Sequence, residues 1–226
     1  RWVLQQACLQ LAAWHRQTAT AGLRMSVNIS ARQLQHARLV DDVAEAVARA
    51  GIPAASLILE ITESMFLHDT DAVVATLRAI RGLGVRVAID DFGSGYSSLG
   101  YLRRFPVDIL KIDRSFIGGN DENDDTSLAA AIVRIGQTLH LQTVAEGIET
   151  TEQWTALRRL GCDYGQGFYF GQPTARPLEV DADRAREARL GTGAVGHLHV
   201  DVVRAAVLQG AHPAPVRPDV AGAVGH

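Results

Sequence analysis

Cysteine is scarce in this sequence, with Cys8 and Cys162 as the only two in 226 residues. A disulfide framework is therefore not expected, and a reducing cytosol is the compartment that fits best. No apolar run approaches the roughly 18 residues that a membrane span needs. We therefore expect a cytoplasmic domain, which leaves open a membrane anchor elsewhere in a longer protein. Positive charge is not in excess, because the net charge is −3, and this argues against DNA as a partner.

The sequence does contain a repeated alternation of short apolar runs and amphipathic stretches. The apolar runs are rich in β-branched residues and lie at 24–30, 56–62, 85–90, 108–113, 141–146 and 164–170. Helical periodicity lies between them, at 37–50, 70–81, 95–104, 126–140 and 150–160. Strands that alternate with helices predict an α/β fold with a parallel sheet and the helices outside it.

Both ends of the chain depart from this alternation. Residues 1–14 show helical spacing without a cap or lead-in, which is typical of a cut inside a larger domain. Residues 177–226 are rich in Gly, Ala, Val, Pro and His and lack a sustained core-like periodicity, so we expect a mobile tail. The sequence thus predicts one domain over 1–176, followed by that tail.

Each apolar run ends in a polar residue, and these residues are separated by one strand–helix–strand step each. In chain order they are Asn28, Glu60, Asp90, Lys111, Glu146 and Gln166. Parallel strands point the same way, so their C-terminal ends gather on one face. In a closed (β/α) barrel that face carries the active site, whereas an open doubly wound sheet would spread the same residues along a line.

Most of these residues carry oxygen ligands. The oxygen donors are the carboxylates of Glu60, Asp90, Asp91 and Glu146 and the neutral amide of Asn28. Carboxylates in one pocket repel each other unless cations compensate, and hard cations such as Mg²⁺ or Mn²⁺ prefer such ligands. The adjacent Asp90 and Asp91 fit a strand end, where a turning backbone lets both reach the rim. One of them would bridge two ions while the other completes the second ion's coordination, as two-metal phosphoryl transfer requires.

The remaining polar residues suggest supporting roles. Lys111 is expected to orient or polarise the attacking water, or to offset charge that develops on the phosphate. Asp113 lies two residues later and is either a further site residue or a helix cap. The loop after Asp91 contains Gly93 and Gly95, and we expect a flexible lid there.

Six motifs in a fixed order resemble a known family. They are SVNIS, LEITES, AIDDFGSGYSSL, LKIDRSF, VAEGIET and QGFYF, and together they resemble the EAL domain, a bacterial cyclic-di-GMP phosphodiesterase. The likeness runs from about residue 1 to 175. It implies a TIM-like (β/α) barrel that hydrolyses one phosphodiester bond of cyclic di-GMP to give linear pGpG. It also implies Mg²⁺ or Mn²⁺ as the cofactor, with Ca²⁺ as an inhibitory ion.

The resemblance further implies roles for individual residues. The implied metal ligands are Asn28, Glu60, Asp90, Asp91 and Glu146, of which Glu146 also counts as catalytic. Lys111 matches the catalytic lysine that contacts the attacking water, and Gln166 matches a glutamine near the metal-bound water. Glu63 matches a glutamate that holds the loop after the paired aspartates. Glu149 matches the second acidic position of the EGIE motif, where its role is less defined.

One part of the family pattern is missing from this sequence. The Glu-Ala-Leu segment that names the family would precede the first helix, and the first two of the barrel's eight strands are absent with it. We therefore expect an incomplete barrel and weigh three hypotheses. The domain is an enzyme when its upstream segment is present, or a catalytically impaired cyclic-di-GMP-binding or regulatory module, or a fragment that does not fold alone.

The resemblance also implies partners. It suggests a homodimer in the intact protein, formed through helices near the loop at 92–99 and the acidic stretch 121–125. It makes an upstream sensor or GGDEF domain plausible in the longer protein.

Overall fold

The structure of the protein is a computed structural model that describes residues 1–16, 22–67, 70–93, 102–117, 125–171 and 199–200. The strands are β1 Arg24–Asn28, β2 Leu57–Thr62, β3 Arg86–Phe92, β4 Ile109–Ile112, β5 Gln142–Ala145, β6 Tyr164–Gly165 and β7 His199–Val200. The helices are α1 Trp2–His15, α2 Ala31–Leu34, α3 Leu39–Ala50, α4 Thr70–Gly82, α5 Asp125–Leu139 and α6 Thr151–Leu160. Short 3₁₀ turns lie at Ala54–Ser56, Glu63–Leu67 and Arg114–Phe116.

The strands form one sheet in the order β6-β5-β4-β3-β2-β1-β7. Every neighbouring pair is parallel, as the alternation of strands and helices predicts. Within the described residues the sheet does not close, because β6 and β7 are its outer strands. The predicted TIM-like but incomplete barrel is therefore confirmed.

The two faces of the sheet bury different sets of residues. One face packs on the helices and belongs to the large core, with Leu59, Val87 and Leu110 among its fully buried members. The other face carries a smaller apolar cluster that consists of Ile58, Ala88, Ile109 and Val144, with Tyr164 packed against it. Because side chains on a strand alternate between faces, this smaller cluster marks the barrel interior.

Helix ends explain where the chain turns. Thr150 accepts a hydrogen bond from the backbone of Gln153 and completes the capping box of α6. Gly51 and Gly161 end α3 and α6 in the left-handed conformation, at φ 66° and 86°, which a residue without Cβ adopts at low cost. A second capping box opens α2, where Ser30 and Gln33 play the same parts.

One strand differs from its prediction. The apolar run 164–170 is a strand only at Tyr164–Gly165, and the chain then turns back. The turn is possible because Gly167 has a φ of 154° and lies against Ile148, so that the Tyr169 amide donates to the Ile148 carbonyl over 3.0 Å. The run is apolar because it packs against the core, with Phe170 edge-on to Trp154.

Some predictions fall outside the described residues. Most of the helix expected at 95–104 lies there, as do the lid residues from 94 onward and the acidic stretch 121–124. The expected tail at 177–226 also lies outside, except for β7, which pairs with Arg24 and Met25 of β1. Among the described helices the longest is α5, with 15 residues, and none has the length and apolar character of a membrane span.

Candidate active site

The polar side chains at the strand ends share the interior face with the small apolar cluster. On four neighbouring strands an apolar interior residue is followed two positions later by an ionisable one. The pairs are Ile58 and Glu60, Ala88 and Asp90, Ile109 and Lys111, and Val144 and Glu146. Strand alternation therefore aims all four ionisable groups into the barrel at its C-terminal end, as the spacing predicts.

Lys111 lies at the centre of this group. Its side chain is 1% exposed, and its Nζ lies 2.9 Å from Glu60 Oε2, 2.9 Å from Asp90 Oδ1 and 2.6 Å from Glu146 Oε1. One N–H of the ammonium donates a hydrogen bond to Glu60 Oε2, and the ammonium forms ion pairs with Asp90 and Glu146. The three carboxylates come from three different strands, and Lys111 thus ties β2, β3 and β5 together at the rim.

A second grouping of carboxylates overlaps the first. Ligand oxygens of Asp90, Asp91 and Glu146 all lie within 4.8 Å of one another. With Glu60 included, four carboxylates and one ammonium lie at this rim, so the fully ionised site has a net formal charge of −3. Hard divalent cations prefer such oxygen donors, and the residues present therefore fit a metal such as Mg²⁺ or Mn²⁺.

A β-bulge brings Asp91 to the same side as Asp90. The pairing of β3 with β4 shifts register between Ile89 and Phe92. Asp91 takes a φ of 54°, in the left-handed region that few residues other than glycine adopt. A bulge places an extra residue on one strand and re-aims its side chain. The two adjacent aspartates can therefore share one site although regular strand geometry would separate them.

Glu63 supports the segment that follows the bulge. It begins the 3₁₀ turn after β2 and is 7% exposed. Its Oε2 accepts a hydrogen bond of 2.9 Å from the backbone N–H of Gly93. Glu63 thus holds the chain two residues after Asp91, in the position that the family resemblance implies for a loop-stabilising residue.

Asp113 caps the 3₁₀ turn Arg114–Phe116. Its Oδ1 accepts a 3.0 Å hydrogen bond from the backbone N–H of Ser115. Burial acts to raise the pKa of Asp113, but hydrogen bonds with Ser115 and with the side chain of Asp91 outweigh it and hold that pKa below its ordinary value. Of the two roles that the sequence left open, the structure shows the cap, placed beside a candidate ligand.

The remaining predicted residues lie at the edges of the site. Asn28 ends β1, pairs in register with Glu60 and is exposed. Gln166 follows Tyr164 on the interior face, and its backbone N–H donates to the Ala145 carbonyl over 2.8 Å. Glu149 is exposed, and its backbone N–H donates to the side chain of Gln153 at the start of α6. The backbone of Glu149 therefore takes part in the N-terminal end of α6.

Neither cysteine provides a nucleophile for the site. Both thiols are buried in the described part of the chain, and burial raises the pKa of Cys8 and of Cys162 to about 11. Each thiol therefore stays protonated near neutral pH, whereas the reactive form of cysteine is the thiolate. Both cysteines are small members of the apolar core.

Sequence reasoning missed two close contacts beside the site. A Cβ built on Gly93 would lie 2.9 Å from Cε2 of Phe116, and one built on Gly147 would lie 2.5 Å from Cβ of Arg114. Gly93 directly follows the bulge, and Gly147 directly follows the candidate metal ligand Glu146. A glycine after a strand end indicates that the backbone there is closely approached by another group. The sequence does not show which residue makes that contact.

Fold and site together define a parallel α/β barrel-type domain with a carboxylate–lysine centre at the C-terminal ends of its strands. The family model described as EAL domain matches residues 1–173. The chain therefore belongs to the EAL domain family, which confirms the resemblance seen in its motifs.

Similar proteins are known in several bacteria. The chain is 47% identical over 173 residues to the bifunctional diguanylate cyclase/cyclic di-GMP phosphodiesterase MucR of Pseudomonas aeruginosa, covering 76% of this chain and 25% of MucR. A solved structure described as the PaMucR phosphodiesterase in a c-di-GMP complex is 46% identical, with a TM-score of 0.71, and the match covers 76% of this chain and 75% of that one. A Klebsiella pneumoniae BlrP1 structure, a manganese and cyclic-di-GMP complex, is 30% identical with a TM-score of 0.66, covering 76% and 44%.

The match is to one part of much longer proteins. The chain spans about a quarter of the length of the curated relatives that it matches, with 25% of MucR and 22% of the cyclic di-GMP phosphodiesterase NbdA.

Proposed function

We propose that this domain hydrolyses one phosphodiester bond of cyclic di-GMP and releases linear pGpG. The observation that carries the proposal is the contact of Lys111 Nζ with Glu60, Asp90 and Glu146 at 2.6–2.9 Å, beside the Asp90–Asp91–Glu146 cluster. The names of the relatives supply the substrate class, because MucR and NbdA are called cyclic di-GMP phosphodiesterases.

A divalent cation belongs to this proposal. Asp90, Asp91 and Glu146 would hold it, with Glu60 and Asn28 beside them at the ends of β2 and β1. Mg²⁺ or Mn²⁺ suits the all-oxygen donor set, and the BlrP1 complex with manganese supports that choice. When bound, such ions polarise the phosphate and lower the pKa of water, which makes hydroxide accessible near neutral pH.

The residues of the chain itself perform the remaining tasks. Lys111 forms ion pairs with its three partner carboxylates and so offsets part of their negative charge. As a buried cation it also offsets the negative charge that builds up on the phosphate as water attacks. Gln166 extends from the strand next to Glu146 and has an amide that can orient a water molecule. The apolar layer beneath, with Ile58 and Val144, keeps bulk water out of the site from below.

Turnover of cyclic di-GMP by the full chain tests the proposal directly. We expect pGpG to form with Mg²⁺ or Mn²⁺, to be absent after chelation and to be reduced by Ca²⁺, as chromatography of the products would show. Leu128→Ala is a suitable control because this residue is 47% exposed on α5, away from the strand ends. A folded protein that binds Mn²⁺ but releases no pGpG would contradict the proposal.

A second candidate function is binding of cyclic di-GMP without turnover. It is favoured by one observation, namely that the described strands leave the barrel open between β6 and β7. Calorimetry with cyclic di-GMP in Ca²⁺ measures binding, and chromatography after incubation with Mg²⁺ measures turnover. Binding in Ca²⁺ without any pGpG in Mg²⁺ supports the regulatory module, and the absence of binding excludes it.

Partners and location complete the proposal. We infer a homodimer in the intact protein and an upstream regulatory domain of the sensor or GGDEF kind, since MucR carries a diguanylate cyclase activity in its name. The net charge of −3 argues against DNA as a partner. A cytoplasmic location agrees with the two free, buried cysteines.

A further inference from the structure

The 3₁₀ turn Arg114–Phe116 directly follows the strand that carries Lys111. It lies between the ends of β3 and β5, the neighbouring strands that supply the other candidate ligands. Each of its outer residues rests on a glycine. Phe116 lies on Gly93, which comes two residues after Asp91, and Arg114 lies on Gly147, which directly follows Glu146.

The contact of Phe116 with Gly93 is close and leaves no room for a side chain. A Cβ on Gly93 would lie 2.9 Å from Cε2 and 3.1 Å from Cζ of Phe116, and 3.3 Å from Cδ1 of Ile132 on α5. The φ of Gly93, 98°, independently requires glycine. The Phe116 ring is half-buried and packs on the core, so its position is fixed from behind.

Gly93 is therefore held by two different groups. Glu63 Oε2 accepts a hydrogen bond of 2.9 Å from the Gly93 amide, and the Phe116 ring packs against the Gly93 Cα. Between this fixed point and the regular part of β3 lies the bulge with Asp91 at φ 54°. A residue in this conformation persists only where its surroundings hold it, because the left-handed region is unfavourable for residues with Cβ.

We propose that Phe116 is a positioning residue that holds Gly93 and thereby fixes the Asp91 carboxylate where it can share a cation with Asp90 and Glu146. The inference rests on the metal site of the proposed function, but not on hydrolysis of cyclic di-GMP. The ring acts through packing alone. Loss of it frees the bulge and weakens divalent-cation binding, while the apolar interior remains intact.

The test compares two phenylalanines at opposite ends of β4. Phe116→Leu withdraws Cε2 and Cζ from Gly93, whereas Phe105→Leu makes the same change in a residue that is 5% exposed and precedes β4. Mn²⁺ affinity is measured on the full chain by titration with electron paramagnetic resonance, without cyclic di-GMP. We expect Phe116→Leu to bind Mn²⁺ about 10- to 100-fold more weakly, which is the usual effect of losing a residue that orients a ligand.

Further variants and readouts separate positioning from general stability. Phe116→Met keeps an apolar side chain long enough to reach Gly93, and we expect it to retain most of the parental Mn²⁺ affinity. This variant keeps the test decisive if Phe116→Leu folds poorly. Phe105→Leu lowers the melting temperature at least as much but leaves Mn²⁺ affinity within about twofold. Saturating Mn²⁺ restores the pGpG-forming rate of Phe116→Leu.

Three results would overturn the inference. The first is a Phe116→Leu variant with the parental Mn²⁺ affinity. The second is an equal loss of affinity in both phenylalanine variants, and the third is a parental protein that binds no Mn²⁺. A parental protein that binds Mn²⁺ but does not cleave cyclic di-GMP defeats the proposed function instead, and the comparison of affinities still decides the role of Phe116.

Discussion

Two layers of the barrel interior lie only two residues apart on the same strands and have opposite chemistry. The lower layer, formed by Ile58, Ala88, Ile109 and Val144, is apolar and buried. The upper layer, formed by Glu60, Asp90, Lys111 and Glu146, is almost as deeply buried but ionisable. Burial alone therefore does not show that a residue stabilises this fold.

The two layers contribute to stability with opposite sign. Burying an apolar side chain such as Ile109 stabilises the fold by about 1.5–3 kcal/mol relative to its exposure. Burying ions costs several kcal/mol each, which their mutual attraction repays only in part. The three carboxylates around Lys111, with Asp91 beside them, therefore form a site that is held in place by the layers around it and gains further stability when a cation binds.

Replacing Lys111 should have the largest effect on activity, because it removes the only cation among the described ionisable groups of the upper layer. Lys111→Met leaves Glu60, Asp90 and Glu146 without their shared counter-charge. We expect the free energy of unfolding without metal to fall by about 3 kcal/mol, and pGpG formation to fall by about 1,000-fold. Urea denaturation and product chromatography measure the two. A variant that is as stable as the parent in chelator would contradict the pairing described here.

Shortening Ile109 tests the lower layer on the same strand. Ile109→Ala leaves a cavity between β3 and β5, and we expect the free energy of unfolding to fall by about 2–5 kcal/mol. Mn²⁺ affinity of the folded protein should stay within about threefold of the parent, because the carboxylates keep their backbone positions. Denaturation and metal titration at low temperature provide both values. A large loss of affinity would show that the two layers are not independent.

Arg86 gives the smallest expected effect and sharpens the comparison at the opposite end of the interior. Its Nη2 donates to Gln142 Oε1 over 2.7 Å, and Gln142 Nε2 donates to the Tyr164 hydroxyl over 3.3 Å. Burial, together with the charge of Arg24, lowers the pKa of Arg86 from its ordinary value. Arg86→Met should therefore change stability by only about 1 kcal/mol, with Mn²⁺ affinity unchanged. Thermal denaturation with and without Mn²⁺ measures this, and a metal-dependent difference would contradict it.

Much of the site was predictable because a polar residue recurs at the end of each apolar run. The polar residue after each apolar run identified Glu60, Asp90, Lys111 and Glu146, and parallel strands necessarily bring such residues to one rim. The capping box at Thr150 and the helix end at Gly161 depend on local sequence only, so features of this kind are accessible from sequence as well.

What the sequence did not reveal depends on contacts across the fold. The strand expected at 164–170 ends at Gly165 because Gly167 turns the chain against Ile148, a contact between distant positions. The support of Gly93 by Phe116 is of the same kind. Local patterns report which residues alternate between faces, but they do not report which side chain will pack on a given glycine.

The two-residue step between the apolar and ionisable layers also determines which genetic changes the domain can tolerate. Substitutions at the rim leave neighbouring positions in place, but loss of one residue inside a strand reverses every face after it. A single deletion within β2 before Glu60 would turn that carboxylate toward the helices and bring Ile61 into its place in the site. Insertions and deletions in this lineage should therefore collect in the connections between strands and helices, while the strands keep their lengths.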